Sequence, residues 1–112
     1  MTTPGKRSYK HEFLYLTTTG RKTGEPREIE IWFVEHEGRY YLVSENRERS
    51  QWVQNIQHDP RITFWVEGKT YQGMGRAIDR EKETKLAETV SALMDAKYSW
   101  SEGLLVELTP GE

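Results

Sequence analysis

The sequence contains no cysteine. This absence excludes disulfide bonds, thiolate nucleophiles and cysteine metal sites. The three histidines, His11, His36 and His58, stand in polar segments or turns and lack the spacing of a metal site. We therefore expect no bound metal, and any redox chemistry in this chain must use a bound organic cofactor.

The sequence also lacks a long apolar run. No apolar segment approaches the roughly 20 residues that cross a bilayer. The first residues, Met1 to Lys10, are polar and lack the hydrophobic segment of a secretory signal. We therefore expect a cytoplasmic protein without a transmembrane segment.

Neither positive nor negative charge is in large excess, and the formal net charge is −2. Such a chain has no overall attraction to a polyanion, which would have to bind a local basic patch. The patch formed by Arg21, Lys22 and Arg27 is small. We therefore expect no nucleic-acid partner, although a single-strand binder that uses these cations and surface aromatics stays open as an alternative.

A chain of 112 residues is long enough for one compact domain but too short for two. We expect a single domain over residues 1–112, with 1–10 as a candidate disordered segment. Four Trp, six Tyr and three Phe can fill a small core efficiently. The expected core is therefore rich in aromatic side chains.

The apolar and β-branched segments predict six short strands. Glycine-containing turns at His36–Arg39 and Glu67–Lys69 indicate hairpins between neighbouring strands. Hairpins favour a closed or split barrel of antiparallel strands over a parallel sheet, which needs a helix in nearly every connection. The predicted strands are Phe13–Thr19, Arg27–Glu35, Tyr40–Ser44, Arg61–Val66, Thr70–Ile78 and Leu104–Leu108.

Two helices complete the predicted α+β fold, which is mainly β. A short helix begins after Ser50, which can cap it, and ends at Asp59-Pro60. A long helix spans Arg80 to Tyr98, with an apolar face of Leu86, Val90, Leu93 and Met94. Gly73 and Gly75 interrupt a strand, where they mark either strong curvature or the close approach of another backbone or a ligand.

The connection between the first two strands has the composition of a phosphate-binding loop. It reads TTTGRKTGEPR from Thr17 to Arg27 and holds three cations, two glycines and several hydroxyl groups. Arginine can bind phosphate with two parallel hydrogen bonds, whereas lysine contributes a mobile point charge. Turn chemistry alone leaves a solvated hairpin as the simpler interpretation.

Two other phosphate or hydrolase patterns are absent. The loop lacks the Walker spacing and no helix follows it, which disfavours ATP hydrolysis. The sequence has no Gly-x-Ser-x-Gly turn, which disfavours a serine hydrolase.

The chain resembles the deazaflavin-dependent nitroreductase family, whose members are relatives of the FMN-binding split barrels. Four blocks carry the resemblance in order along residues 13–110: LTTTGRKTGEPR, WFV followed by GRYYLVSEN, WVQNIQHDPRITF, and the closing LLVELTP. The resemblance implies a split β-barrel and a bound cofactor, either coenzyme F-420 (8-hydroxy-5-deazaflavin) or FMN. It also implies hydride transfer to a quinone, a nitro compound or an enone.

The resemblance further implies which residues bind the cofactor. Lys22 and Arg27, with the backbone around Arg21 and Thr23, would hold its phosphate, and Ser44 and Asn46 would flank its ring. The Trp-x-x-Asn pair, Trp52 and Asn55, would help to close the ring and tail region, although Trp52 can equally be a core anchor. Tyr98 and Trp100 are candidates for a substrate pocket.

One segment departs from the family pattern. After Val43, many relatives have a small-Ser-Asn-Gly-Gly run and a longer loop, whereas this chain reads SENRE from Ser44 to Glu48. The carboxylate of Glu45 would oppose an anionic cofactor tail unless it is paired. FMN, which has a shorter tail than the deazaflavin, therefore stays open as the cofactor.

Two further expectations follow. A non-catalytic barrel that stores or carries a flavin, a haem or a lipid-like ligand is the alternative function, because fold does not dictate function. Exposed barrel edges and surface aromatics also lead us to expect a homodimer.

Overall fold

The computed structural model describes residues 12–111. The candidate disordered segment 1–10 and His11 lie outside the described residues. Within residues 12–111, seven strands and two helices follow one another, with a short 3₁₀ turn at Arg47–Arg49. They are β1 (Phe13–Thr19), β2 (Pro26–Trp32), β3 (Val34–His36), β4 (Arg39–Ser44), α1 (Gln51–His58), β5 (Arg61–Val66), β6 (Lys69–Ala77), α2 (Thr84–Tyr98) and β7 (Leu104–Pro110).

The strands form one sheet in the order β2-β1-β5-β6-β7-β4-β3, and every neighbouring pair is antiparallel. The two end strands, β2 and β3, are consecutive in the chain and are separated by Phe33 alone. The sheet must therefore curl until its ends meet at Phe33. This curled half-barrel with two helices confirms the predicted α+β split barrel.

The segment Arg27–Glu35 is not one strand, as the sequence predicted, but two. The hydroxyl of Tyr98 lies 3.1 Å from the Phe33 nitrogen and 3.0 Å from the Phe33 oxygen, and the Lys97 amino group donates to the same oxygen at 2.9 Å. These side chains satisfy the Phe33 backbone while the chain exchanges one strand partner for another. Burial raises the pKa of Tyr98, so its hydroxyl retains its proton as a donor.

Both predicted hairpin turns are confirmed. Glu37 and Gly38 have φ values of 51° and 79°, and Glu67 and Gly68 have values of 52° and 84°. Two consecutive left-handed residues match the twist of antiparallel strands in a two-residue hairpin. These turns fix the β3–β4 and β5–β6 registers.

Strand β4 separates two apolar cores. Tyr40 and Leu42 face the barrel interior, which is closed by Val53 and Ile56 of α1. The alternate residues, Tyr41 and Val43, face α2 and pack with its buried residues Ala87, Val90 and Met94. Alternation along a strand sends neighbouring side chains to opposite faces, so β4 is buried on both.

Helix α2 is shorter than the sequence predicted, and its apolar face differs by one residue. It begins at Thr84 rather than Arg80, because residues 80–83 form turns. Leu93, predicted to face the core, is 37% exposed. Among the described residues, neither helix has the length and apolar character needed to span a bilayer.

Gly73 marks a close approach of backbone, one of the two alternatives that the sequence left open. A Cβ atom at this position would lie 2.1 Å from the carbonyl oxygen of Thr109 on β7. A Cβ atom added at Gly75 would lie 3.2 Å from the side chain of Ile56 on α1. Small residues therefore let β7 and α1 pack directly on β6.

A buried carboxylate fastens α2 to the sheet. Glu107 on β7 is 3% exposed and accepts hydrogen bonds from the Tyr41 hydroxyl and the Arg76 Nε, each at 2.8 Å. The two terminal nitrogens of Arg76 donate to Glu83, at the start of α2, at 2.7 and 2.8 Å. Burial and the Glu107 carboxylate raise the pKa of Tyr41 to about 12.

Replacing Tyr41 with Phe should lower the free energy of unfolding by about 1.5–3 kcal/mol near neutral pH, because the bond to a charged acceptor is lost. The raised pKa makes this contribution complete below the ordinary tyrosine value of about 10. It is lost as the pH rises toward about 12. Urea unfolding of both proteins at several alkaline pH values measures the difference, and a difference that does not shrink above pH 10 would contradict this prediction.

Candidate functional site

The β1–β2 connection, residues 20–27, forms a compact turn that we call the cationic loop. The Gly20 nitrogen donates to the Glu25 oxygen at 2.8 Å, and the Gly24 nitrogen donates to the Gly20 oxygen at 2.7 Å. Gly24 has a φ of 76°, and the Thr23 hydroxyl accepts a bond from the Glu25 nitrogen at 3.2 Å. The loop is therefore held in shape by its own hydrogen bonds.

Arg21 is bound to helix α1 rather than free. Its backbone nitrogen and Nη1 donate to the Asn55 Oδ1 at 3.2 and 3.0 Å, and its Nη2 donates to the Gln51 Oε1 at 2.8 Å. Asn55 is 3% exposed, and its Nδ2 donates to the Thr18 hydroxyl at 3.1 Å. Asn55 thus joins the helix, the end of β1 and the cationic loop.

The other two cations of the loop face solvent. Lys22 is exposed, and the Arg27 side chain is 56% exposed, with a carboxylate oxygen of Glu25 4.0 Å away. An exposed ion pair at this separation is weak. An anion can therefore reach the charges of Lys22 and Arg27, whereas the Arg21 guanidinium is already bonded to α1.

A pocket of about 350 Å³, the cationic pocket, lies between the loop and α1. Beside it is a larger hollow of about 620 Å³, the aromatic cleft. Trp52 lines both, and β2 contributes Ile29 to the first and Ile31 to the second. The two hollows are therefore neighbours along one face of β2, one rich in cations and the other rich in indole rings.

The structure brings the predicted cofactor residues together around these two hollows. Residues of both the loop and α1 line the cationic pocket, whereas the end of β4 and the turn after it line the aromatic cleft. The predicted residues of the cationic pocket are Arg21, Lys22, Thr23, Arg27, Trp52 and Asn55. Those of the aromatic cleft are Ser44, Asn46 and Trp52, and Trp100, predicted for the substrate pocket, lines the same cleft.

Ser44, at the end of β4, is 2% exposed and fixes the turn that follows it. Its hydroxyl donates to the Arg47 carbonyl oxygen at 2.9 Å, and the Ser50 hydroxyl lies 2.6 Å from the Ser44 hydroxyl. Ser50 occupies the position before α1, as predicted, but its side chain makes no capping bond. The Ser50 hydroxyl, which the sequence predicted to cap α1, forms a hydrogen bond with the Ser44 hydroxyl instead.

The wall of the aromatic cleft contains a residue that sequence analysis missed. Trp32 lines the cleft and stacks on Tyr98, with ring centroids 4.4 Å apart and planes 7° apart. The ring of Trp100 meets Trp32 edge-on at 6.1 Å. Tyr98 is therefore behind the wall and not part of the cleft lining. Trp32 is the last residue of β2 and is 37% exposed, and sequence analysis assigned it no role.

Within residues 12–111, no group of three or more histidine, aspartate or glutamate side chains could hold a metal ion.

Comparison with solved structures supports the architecture. HutZ, the heme storage protein from Vibrio cholerae, is 17% identical, with a TM-score of 0.71, covering 92% of this chain and 84% of its own. The F420-H2 dependent reductase FDR-A is 23% identical, with a TM-score of 0.61, covering 86% and 92%. A structure described as a domain-swapped dimer is 22% identical, with a TM-score of 0.66, covering 96% and 87%. At these identities the likeness is one of fold.

A search of curated proteins finds no match. The model of one protein family, the F420H(2)-dependent quinone reductases, matches residues 2–102, which is most of the chain. This match confirms the resemblance to deazaflavin-dependent enzymes that the sequence blocks indicated. The chain belongs to the F420H(2)-dependent quinone reductase family, a family of deazaflavin-dependent oxidoreductases.

Proposed function

We propose that this protein is an oxidoreductase that binds the deazaflavin coenzyme F-420 and transfers hydride between it and a small organic acceptor. One observation carries the proposal: the cationic pocket and the aromatic cleft adjoin at Trp52. A cofactor with an anionic tail and a planar ring needs two such environments side by side. The family match supports the choice of a deazaflavin.

The cationic pocket suits a phosphate. Lys22 and Arg27 supply two solvent-facing charges, and Thr23 lies beside them in the pocket wall. Arg21 has a different role, because its backbone nitrogen and both terminal nitrogens already bond α1. In this proposal Lys22 and Arg27 bind the tail of the cofactor, while Asn55 positions the loop that presents them.

The aromatic cleft suits a ring system and an acceptor. When bound, the deazaflavin supplies the hydride chemistry, and the protein binds, orients and excludes water. Ser44 ends β4, Asn46 lies in the turn that follows, and both residues line the cleft. Trp32, Trp52 and Trp100 give it apolar walls on which a planar acceptor can pack.

The position of Glu45 removes one objection to the deazaflavin as the cofactor. Sequence analysis raised an objection to the longer anionic tail, because Glu45 would repel it. Glu45 lines the aromatic cleft and is absent from the lining of the cationic pocket. Its charge therefore lies toward the ring end of the proposed site, away from the loop that would hold the tail.

A quinone is the acceptor class that the family name suggests, and nitro compounds and enones are the other two candidates. Self-association and a cytoplasmic location stay predictions. So does the absence of a nucleic-acid partner.

The decisive experiment is an anaerobic titration of the purified chain with reduced coenzyme F-420 followed by addition of menadione, a small quinone. We expect the absorbance of the oxidised deazaflavin to return at a rate that depends on protein concentration, with FMN tested in parallel. Tight binding of a cofactor without turnover of a quinone, a nitro compound or an enone would instead support the carrier function.

Replacing Lys22 or Arg27 with Gln should weaken coenzyme F-420 binding by about 10-fold each, because each change removes a charged donor. The loss should be smaller at high salt, since exposed charges are screened. Isothermal titration calorimetry measures both effects. The matched control is Lys69→Gln, in the β5–β6 turn outside both hollows, and unchanged affinity in Lys22→Gln and Arg27→Gln would refute the assigned roles.

Replacing Asn55 with Ala should reduce coenzyme F-420 affinity although Asn55 makes its hydrogen bonds to protein atoms. The change leaves the Arg21 nitrogen and the Thr18 hydroxyl without their partner, and we expect about 1–3 kcal/mol of lost stability. Calorimetry and urea unfolding measure the two quantities. Gln57→Ala, on the exposed side of α1, is the control, and an Asn55→Ala protein with full affinity would contradict the positioning role.

A further inference from the structure

The five residues between α2 and β7, Ser99 to Gly103, carry Trp100 to the aromatic cleft. This segment has no regular secondary structure, and its two ends have left-handed φ values of 60° at Ser99 and 141° at Gly103. Trp100 nevertheless has a defined place. Its ring is edge-on to Trp32, and it lines the aromatic cleft together with Ser44 and Trp52. Its side chain also packs against the core between β4 and α2, and the backbone that follows it has a separate attachment.

Arg80, in the connection between β6 and α2, makes that attachment. Its Nη2 donates to the carbonyl oxygens of Ser101 at 3.1 Å and Gly103 at 2.9 Å. Its Nη1 donates to the Ser91 hydroxyl on α2 at 2.9 Å. One guanidinium thus joins the helix to the carbonyl groups one and three residues after Trp100. The planar shape of the group fixes the direction of these bonds, which a single ammonium cannot reproduce.

The far end of the segment has no room to shift. A Cβ atom at Gly103 would lie 2.3 Å from the Ser44 oxygen and 2.8 Å from the Val43 side chain. Gly103 is therefore pressed against the end of β4, the same strand end that borders the cleft. The Gly103 carbonyl that Arg80 binds therefore belongs to a residue packed against the end of β4.

We propose that Arg80 is a positioning residue that holds Trp100 at the aromatic cleft and thereby determines how tightly the acceptor binds. The acceptor part of this inference rests on the proposed function. Arg80 does not line the cleft or the cationic pocket, and its three bonding partners do not line the cationic pocket. Its loss should therefore affect the acceptor and leave the anchoring of the cofactor tail unchanged.

The test compares Arg80→Met, which keeps the aliphatic stem, with Arg80→Lys, which keeps the charge without the planar group. Arg61→Met is the matched control, because the Arg61 side chain is 79% exposed and its ion pair is with Asp59, away from the cleft. Each protein is labelled with 5-fluorotryptophan, and its fluorine NMR spectrum is recorded without cofactor. The Trp100→Phe variant assigns the Trp100 signal.

The expected result is a shifted or broadened Trp100 signal in Arg80→Met, with the signal of Trp65, which pairs with Tyr15 on β1, unchanged. Arg80→Lys should give an intermediate change, and Arg61→Met none. An unchanged Trp100 signal in Arg80→Met overturns the positioning role whatever the activity. Equal changes in all four tryptophan signals also overturn it, because they indicate general loss of structure. This measurement needs no cofactor, so it stands even where deazaflavin turnover fails.

Kinetics with menadione then test the acceptor role. We expect the KM for menadione to rise about 10-fold in Arg80→Met, with kcat and the Kd for coenzyme F-420 within twofold of the original protein. Arg80→Lys should recover part of the KM. A coenzyme F-420 affinity that falls as much as the menadione affinity would overturn a role confined to the acceptor end. So would an unchanged KM alongside a displaced Trp100.

Discussion

The structure depends on one constraint, the meeting of the two ends of the sheet at Phe33. Because β2 and β3 are neighbours in the chain but stand at opposite ends of the sheet, the sheet can exist only when it is curled. The Tyr98 hydroxyl and the Lys97 amino group satisfy the Phe33 backbone where the chain leaves one partner strand for another. Curling also brings β2 beside the end of β4 and the start of α1. Both hollows of the candidate site lie along that line of contact.

Within the site, some residues hold its shape and others can bind a ligand. Residues of the two kinds can be neighbours in the sequence. Arg21 and Lys22 illustrate this difference, since the first is bonded to α1 and the second faces solvent. Asn55 lies in the wall of the cationic pocket but has its amide engaged by Arg21 and Thr18. A fixed loop with solvent-exposed charges would bind an anion without first having to order itself, which lowers the free-energy cost of binding.

Much of this arrangement could be predicted from the sequence, because it depends on local signals. Hairpin turns and strand composition led to the barrel, and the loop TTTGRKTGEPR indicated the phosphate-binding cations. The family resemblance implied the other residues around both hollows. What could not be predicted depends on contacts between distant parts of the chain. The break at Phe33 is fixed by Tyr98, and the Ser50 hydroxyl leaves its capping position because Ser44 lies beside it. Trp32 was missed for the same reason, because its place in the cleft wall depends on contacts with Tyr98 and Trp100 from a distant part of the chain.

Strand β4 has a consequence for how the molecule comes apart. It gives alternate side chains to the barrel interior and to the interface with α2, so neither core is complete without it. Detaching α2 would expose one face of β4 to water, and opening the barrel would expose the other. Partial unfolding at either place therefore removes support from the other. The helix and the barrel should melt as one cooperative unit rather than as a stable barrel with a detachable helix.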